Sequence, residues 1–235
     1  VRVSTLSFAG VGGSPEGIVE RNRAAALDLV ERAALDEPDI VCLPEMFPAL
    51  GLSSQDWFKT AEPVPGPTTE AAGALARKHS MYVVCPLVER RSEKIYNSAV
   101  LIDRAGRPMG SYHKMYPTIG EVEAGVTPGT ETKVFETDFG RVGFAVCFDL
   151  NFRDVVEGLA SGGAEIVFFP SMYRGGLQLC IWAYDFSFYM VSAITGVGSA
   201  IVDPLGRVLT ETSIHHQVAS KTLNLDCSCL LYTSP

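Results

Sequence analysis

The chain has 235 residues, of which 47% are hydrophobic and 20% charged, and its net charge is -8. That is an ordinary globular composition with enough chain for a sizeable core. The acidic balance argues against a nucleic-acid surface, which needs clustered Lys and Arg. The longest apolar stretch, residues 181–202, carries Asp185 and two glycines, so no membrane span is expected.

In chain order, residues 2–9 alternate and read as a strand. The Gly-rich loop 10–17 has neither GK[ST] nor GxGxxG, so it reads as a turn and not a phosphate cradle. Residues 19–34 carry apolar side chains at helical spacing. A buried strand, 40–43, leads directly to Glu45. A Pro- and Ser-rich loop then precedes a helix over 68–79 and strands over 81–88 and 95–103. Lys114 follows, set between aromatic residues in YHKMYP, an unusual place for a solvated lysine. The next loop holds Glu121 and Glu123. Strands are expected over 134–139 and 142–146, with Cys147 at the end of the second. A helix start after Cys147 would favour its thiolate. Beyond it lie a helix, a strand over 166–169, a helix over 178–190 and strands within 189–202. A hairpin turn follows at 203–207, and the last strand begins at 222. Helices alternating with strands and hairpins imply layered α/β packing with sheets that are not purely parallel.

Six cysteines (Cys42, Cys85, Cys147, Cys180, Cys227, Cys229) show no disulfide framework, which suggests free thiols in a reducing cytoplasm. Cys227-Ser-Cys229 lacks a His pair at ligand spacing, so no zinc site is expected.

Glu45, Lys114 and Cys147 each fall at or just beyond the end of an apolar stretch. A thiol needs a base to act as a nucleophile at neutral pH, and a carboxylate can serve. A lysine supplies fixed positive charge for a developing oxyanion. His79, His215 and His216 sit in polar stretches. His113, beside Lys114, leaves a Cys–His arrangement open but poorly supported.

The pieces LPEMF around Glu45, YHKMYP around Lys114 and VCFDLNFRD around Cys147 resemble the nitrilase superfamily of carbon-nitrogen hydrolases, in its amidase-like branch. YNSAVLID, GAEIVFFPS and VDPLGRVL extend the resemblance from about residue 2 to 226. It implies a four-layer α-β-β-α sandwich with mixed sheets that dimerises face to face. It also implies a Cys147 nucleophile, Glu45 as general acid and base, and Lys114 stabilising the tetrahedral intermediate with the Phe148 N–H. Glu121, preferred over Glu123, would be a further acid of the catalytic set. Asn97 and Asp149 are candidates to support these groups through hydrogen bonds. Tyr173 and Arg174 could face the substrate, and Arg153 with Asp154 could form a local salt bridge. The expected reaction cleaves an amide or N-carbamoyl bond of a small molecule through a cysteine thioester, with no metal or organic cofactor. Nitrile hydrolysis by the same thiol, or a non-catalytic binding module on the same fold, are the alternatives. The expected partners are a small-molecule substrate and a second copy of the chain, in a homodimer or higher homo-oligomer.

One catalytic domain is expected over residues 1–228. CLLYTSP, Cys229–Pro235, resembles the translation of a sequencing-library adapter, so 229–235 read as a non-native tail on a truncated domain.

Overall fold

The computed structural model describes residues 1–226; Cys227 and the reading of 229–235 as a tail lie outside the described residues. The first half runs β1 (Arg2–Leu6), α1 (Ile18–Ala33), β2 (Ile40–Cys42), α2 (Pro67–His79), β3 (Tyr82–Arg91), β4 (Lys94–Ile102) and β5 (Pro108–His113). A short helix α3 (Ile119–Glu123) leads to β6 (Val134–Thr137), β7 (Gly140–Phe144), α4 (Arg153–Ser161), β8 (Ile166–Ser171) and α5 (Leu177–Phe186). The chain continues through β9 (Tyr189–Ile194), β10 (Ala200–Val202), β11 (Val208–Glu211) and β12 (Val218–Thr222).

These strands form two six-stranded sheets, ordered β12-β1-β2-β3-β4-β5 and β11-β10-β9-β8-β7-β6. Each sheet has three parallel strands at its centre, β1-β2-β3 and β7-β8-β9, flanked by antiparallel neighbours. Mixed sheets of this kind follow from helical crossovers alternating with hairpins.

Side-chain alternation along each central strand sets the layers. In β8, Ile166 and Phe168 point between the sheets, where they meet Val3, Ile40, Val84 and Leu101 from the other sheet. Val167 and Phe169 point the other way, onto Val155, Leu159 and Trp182 of α4 and α5. The outer face of the first sheet packs Val41, Val83 and Leu87 on Ala26, Leu29 and Val30 of α1 and Ala72 and Ala76 of α2. The result is the expected α-β-β-α sandwich. Each fully buried Val, Leu, Ile or Phe contributes about 1.5–3 kcal/mol, so burial on both faces of two sheets is the main stabilising term.

Several boundaries differ from the sequence expectation. β5 is not expected from PMGSYH, which carries Pro and Gly; it is an edge strand, where both are tolerated. The last strand lies at Val218–Thr222 and not after it, pairing antiparallel with β1. The helix expected to reach 190 stops at Phe186, where Ser187 turns left-handed (φ 53°) and sends the chain into β9. The strand before Cys147 ends at Phe144, two residues early, and this shift matters for the site.

Two buried devices hold the loops around the strand ends. Asn22 of α1 donates from Nδ2 to the carbonyls of Pro48 (3.1 Å) and Leu50 (2.7 Å), fastening the segment after Glu45. Gly129 comes so close that a Cβ there would collide with the His113 carbonyl oxygen, and its N–H donates to the Lys114 carbonyl (2.8 Å). Any larger residue at Gly129 would push the Lys114 segment away. Among the described residues no helix is long and apolar enough to cross a membrane.

Candidate active site

The site forms where four chain segments leave the carboxyl ends of their strands. Glu45 follows β2, Lys114 follows β5, Cys147 follows β7 and Met172 follows β8. The turns after β2 and β7 share a feature. Met46 (φ 43°) and Cys147 (φ 50°) both adopt the left-handed conformation that side-chain-bearing residues disfavour. Such strain clusters at functional sites, where surrounding contacts over-determine it. At Cys147 it breaks the strand early and starts a tight turn over Cys147–Asn151.

Lys114 is the hub. Its ammonium is 1% exposed and donates to Glu45 Oε1 (3.0 Å) and to Glu121 Oε1 (3.0 Å) and Oε2 (2.8 Å). Asn97 of β4 bridges the same two carboxylates. Its Nδ2 donates to Glu45 Oε1 and Glu121 Oε1, both at 2.7 Å. The other Glu45 oxygen, Oε2, accepts from the Met172 N–H (2.9 Å). Two buried carboxylates thus share one ammonium and one amide, which offsets the cost of burying them. Burial is the largest influence on Lys114 and works against its charge, but Glu45, Cys147 and Glu121 together outweigh it and push its pKa up. Burial likewise opposes ionisation of Glu121. The Lys114 ammonium and the hydrogen bonds from Lys114, Asn97 and Thr118 overcome that, holding Glu121 below the usual carboxylate range.

Glu121 is positioned by a capping box at the start of α3. The Thr118 N–H (2.7 Å) and hydroxyl (2.9 Å) donate to its Oε2. The Thr118-x-x-Glu121 spacing is a sequence signal that separates it from Glu123, which is exposed.

Cys147 is partly buried and lies within reach of the same charges. Burial, reinforced by the Glu45 carboxylate, pushes its thiol up to about 12 against the opposing pull of Lys114, the Met172 N–H and Ser171. This corrects the expectation that a helix start would hold a thiolate there. The turn is a single 3-10 segment, too short for a strong dipole, and the buried carboxylate acts in the opposite direction. Burial and the Glu45 carboxylate thus both favour the protonated thiol. The alkylation rate of Cys147 by iodoacetamide is expected to rise about tenfold per pH unit from about 7 to about 10, tracking thiolate fraction. The check is peptide mass mapping of the alkylated site over that range, and a plateau below about pH 8 would contradict this assignment.

The remaining sequence candidates divide. Tyr173 lies by the site: burial, with Cys147 next, pushes its phenol up to about 12. Phe148 is 39% exposed and packs edge-on to Phe152 (5.3 Å). Arg174 lies against Gly198 and pairs with Glu211 of β11 (3.3 Å), both side chains being more than half exposed. Arg153 and Asp154 do not form the expected salt bridge. Arg153 pairs with Glu157 one turn on (2.6 Å), and Asp154 accepts from the Tyr116 hydroxyl. His113 pairs with Glu89 (3.1 Å) and stacks on Tyr96 (4.0 Å between ring centroids), so its ring is engaged by these two partners. The Met172 N–H and Tyr112, described below, are contributors that the sequence reading missed. A cleft of about 590 Å³ between the start of α1 and the loop 52–62 contains none of the candidate residues.

In sequence and fold the chain resembles known proteins. The chain is 30% identical to beta-ureidopropionase of Arabidopsis thaliana over 74% of this chain and 46% of that protein. It is 31% identical to N-carbamoylputrescine amidase of the same plant, over 73% of this chain and 58% of that one. The chain thus spans about half the length of these two relatives. It is 23% identical to mouse omega-amidase NIT2 over 95% of this chain and 90% of that protein. In fold it matches Saccharomyces cerevisiae Nit3, a member of branch 10 of the nitrilase superfamily. The TM-score is 0.84 and the identity 21%, over 98% of this chain and 92% of that one. It also matches a double mutant of the amidase from Nesterenkonia sp. AN1 in complex with acrylamide (TM-score 0.84, 21% identity, 95% and 90% coverage). The carbon-nitrogen hydrolase family model matches residues 9–226, almost all of the described chain, and this chain belongs to that family.

Proposed function

We propose that this chain hydrolyses an amide or N-carbamoyl bond of a small molecule through a thioester on Cys147. The observation that carries the reading is the buried Glu45–Lys114 pair at 3.0 Å, with Cys147 close enough for both charges to bear on its thiol in opposite directions. In the proposed sequence, Sγ gives its proton to Glu45 and attacks the carbonyl carbon. The oxyanion that forms faces the Lys114 ammonium and the Phe148 N–H. Collapse breaks the C–N bond, and Glu45 passes the proton to the departing ammonia or amine. Water then gives a proton to Glu45 and adds to the thioester, the C–S bond breaks, and the proton returns to sulfur. Glu121, ionised by its contacts, holds Lys114 in place throughout.

The relatives' names support amide and N-carbamoyl substrates. The test is a screen of short amides, N-carbamoyl amines and nitriles, scored by ammonia release. Turnover of an amide or carbamoyl compound is expected, and turnover of nitriles alone would replace this reading with nitrile hydrolysis. The reading extends to a cytoplasmic enzyme, which the free thiols at Cys42, Cys85, Cys147 and Cys180 fit.

The reading also includes a homodimer. Leu177 (75% exposed), Ile181 (45%) and Tyr184 (63%) lie on one face of α5, at helical spacing that presents them together. Leu205 and Val208, also exposed, lie in and just after the turn that packs on α5 at Gly206. Sedimentation is expected to show a dimer for the unaltered chain and a monomer for Ile181→Asp. A monomeric unaltered chain would remove the dimer from the proposal.

A further inference from the structure

Asp149 is fully buried two residues after Cys147 and takes no part in the sequence of steps above. Its Oδ2 accepts from the Val146 N–H (2.9 Å) and the Tyr112 hydroxyl (2.8 Å), and its Oδ1 from the Tyr116 N–H (2.9 Å). Val146 belongs to the turn that carries Cys147. Tyr112 and Tyr116 lie two residues to either side of Lys114. One carboxylate therefore grips the lysine segment on both flanks and the nucleophile turn at its start.

We propose that Asp149 is a positioning residue for the reaction, a clamp that fixes the Cys147 turn against the Lys114 segment and so sets Sγ relative to Nζ. The inference rests on the thioester reading above. A purely local cap would need only the Val146 bond. The other two reach 37 and 33 residues back along the chain, to the one segment that bears the ammonium. The chemistry also demands an ionised acid. Three donors converge on the group, and only a carboxylate offers acceptors alone to all three. An amide of the same shape would turn its NH₂ toward at least one of them and leave that donor unpaired in a buried place, which is costly. Keeping the charge has a cost of its own: burial, only partly offset by Val146, Tyr112, Tyr116 and Lys114, pushes the Asp149 carboxyl up to about 6. The Tyr112 phenol is pushed well up by burial and by Asp149, so it stays protonated and keeps donating. Reacting groups misplaced by about 1 Å can lose about 10²-fold in rate, so a clamp of this kind has a measurable effect.

The test uses the full chain with propionamide or N-carbamoylputrescine, whichever releases ammonia faster. Rates are normalised to folded protein by thermal melting. Asp149→Asn is expected to lower kcat at least about 30-fold while KM changes less than about threefold. Tyr112→Phe, which removes a single bond and keeps the ring, is expected to lower kcat about three- to tenfold. The double variant should be no slower than Asp149→Asn, because both changes open one clamp. A residue needed only for folding would lower the folded fraction and leave kcat per folded site intact. Unchanged kcat in folded Asp149→Asn, or losses that multiply in the double variant, would overturn the proposal. If Asp149→Asn does not fold, unchanged kcat in Tyr112→Phe would overturn it. Cys147→Ala on the same substrate separates the two levels. Activity retained there sinks the thioester reading and the clamp together. Activity lost there but kept in Asp149→Asn sinks the clamp alone.

Discussion

Replacing Cys147 by Ala is expected to abolish turnover, by at least about 10⁴-fold, while the protein folds and melts normally. Losses of that size or larger accompany removal of a nucleophile whose partners act as a unit with it. The fold should tolerate the change. Cys147 is only partly buried, and its left-handed backbone is held by the bonds of the turn that follows, including Asp149 N–H to the Val146 carbonyl (3.1 Å). Ammonia release by the variant on a substrate turned over by the unaltered chain is the measurement. Full release would show that Sγ forms no bond to the substrate. Cys147→Ser is a stricter form of the same experiment. It keeps a hydroxyl in place of the thiol, yet a hydroxyl gives up its proton far less readily than a thiol and is a much weaker nucleophile, so it should also be inactive.

The second large effect is expected at the Glu45–Lys114 pair. Lys114→Arg should lose about 10²–10³-fold in kcat although it keeps the charge. The ammonium sits within 2.8–3.0 Å of three carboxylate oxygens from two residues, in a space that is 1% exposed. A planar guanidinium is larger and fork-shaped, so it cannot present one point charge to both acids and still face an oxyanion. Lys114→Ala is the less informative variant. It leaves Glu45 and Glu121 buried without their shared cation, and breaking a buried pair costs about 3–5 kcal/mol of stability. Glu45→Gln keeps the size of the side chain and is expected to lose about 10²–10⁴-fold, since the amide cannot accept the thiol proton. Near-normal kcat in folded Lys114→Arg or Glu45→Gln would remove the role assigned to that residue.

The three main groups are legible in the sequence because Glu45 and Cys147 follow short apolar runs and Lys114 sits between aromatic residues in YHKMYP. Glu45 comes three residues after β2, Lys114 directly after β5 and Cys147 three residues after β7. Strand ends are where polar side chains in α/β folds converge. The four-layer order is legible through the motifs and through strands whose two faces are both apolar, as in Ile166–Phe169. Other features cannot be read because they depend on distant partners. The partner of Arg174 is one example: it pairs with Glu211, 37 residues further along the chain. Asn97 is legible as a supporting hydrogen-bond donor, but the two groups it joins, 52 positions before it and 24 after it, are not. The upward push on the Cys147 thiol is not legible from the local turn because it comes from burial first and then from Glu45, a carboxylate more than a hundred residues away. The edge strand β5, built from PMGSYH, draws its pairing from β4 and not from its own propensity.

The central claim is a covalent bond between substrate and Cys147, and trapping that bond tests it most directly. The unaltered chain would be mixed with a turned-over amide or carbamoyl substrate, quenched in acid within milliseconds to seconds, and its intact mass measured, with peptide mapping of the adduct. An increase equal to the acyl or carbamoyl group, located on the peptide containing Cys147 and absent from Cys147→Ala, is the expected result. Steady turnover with no adduct at any quench time, or an adduct on another residue, would contradict the account.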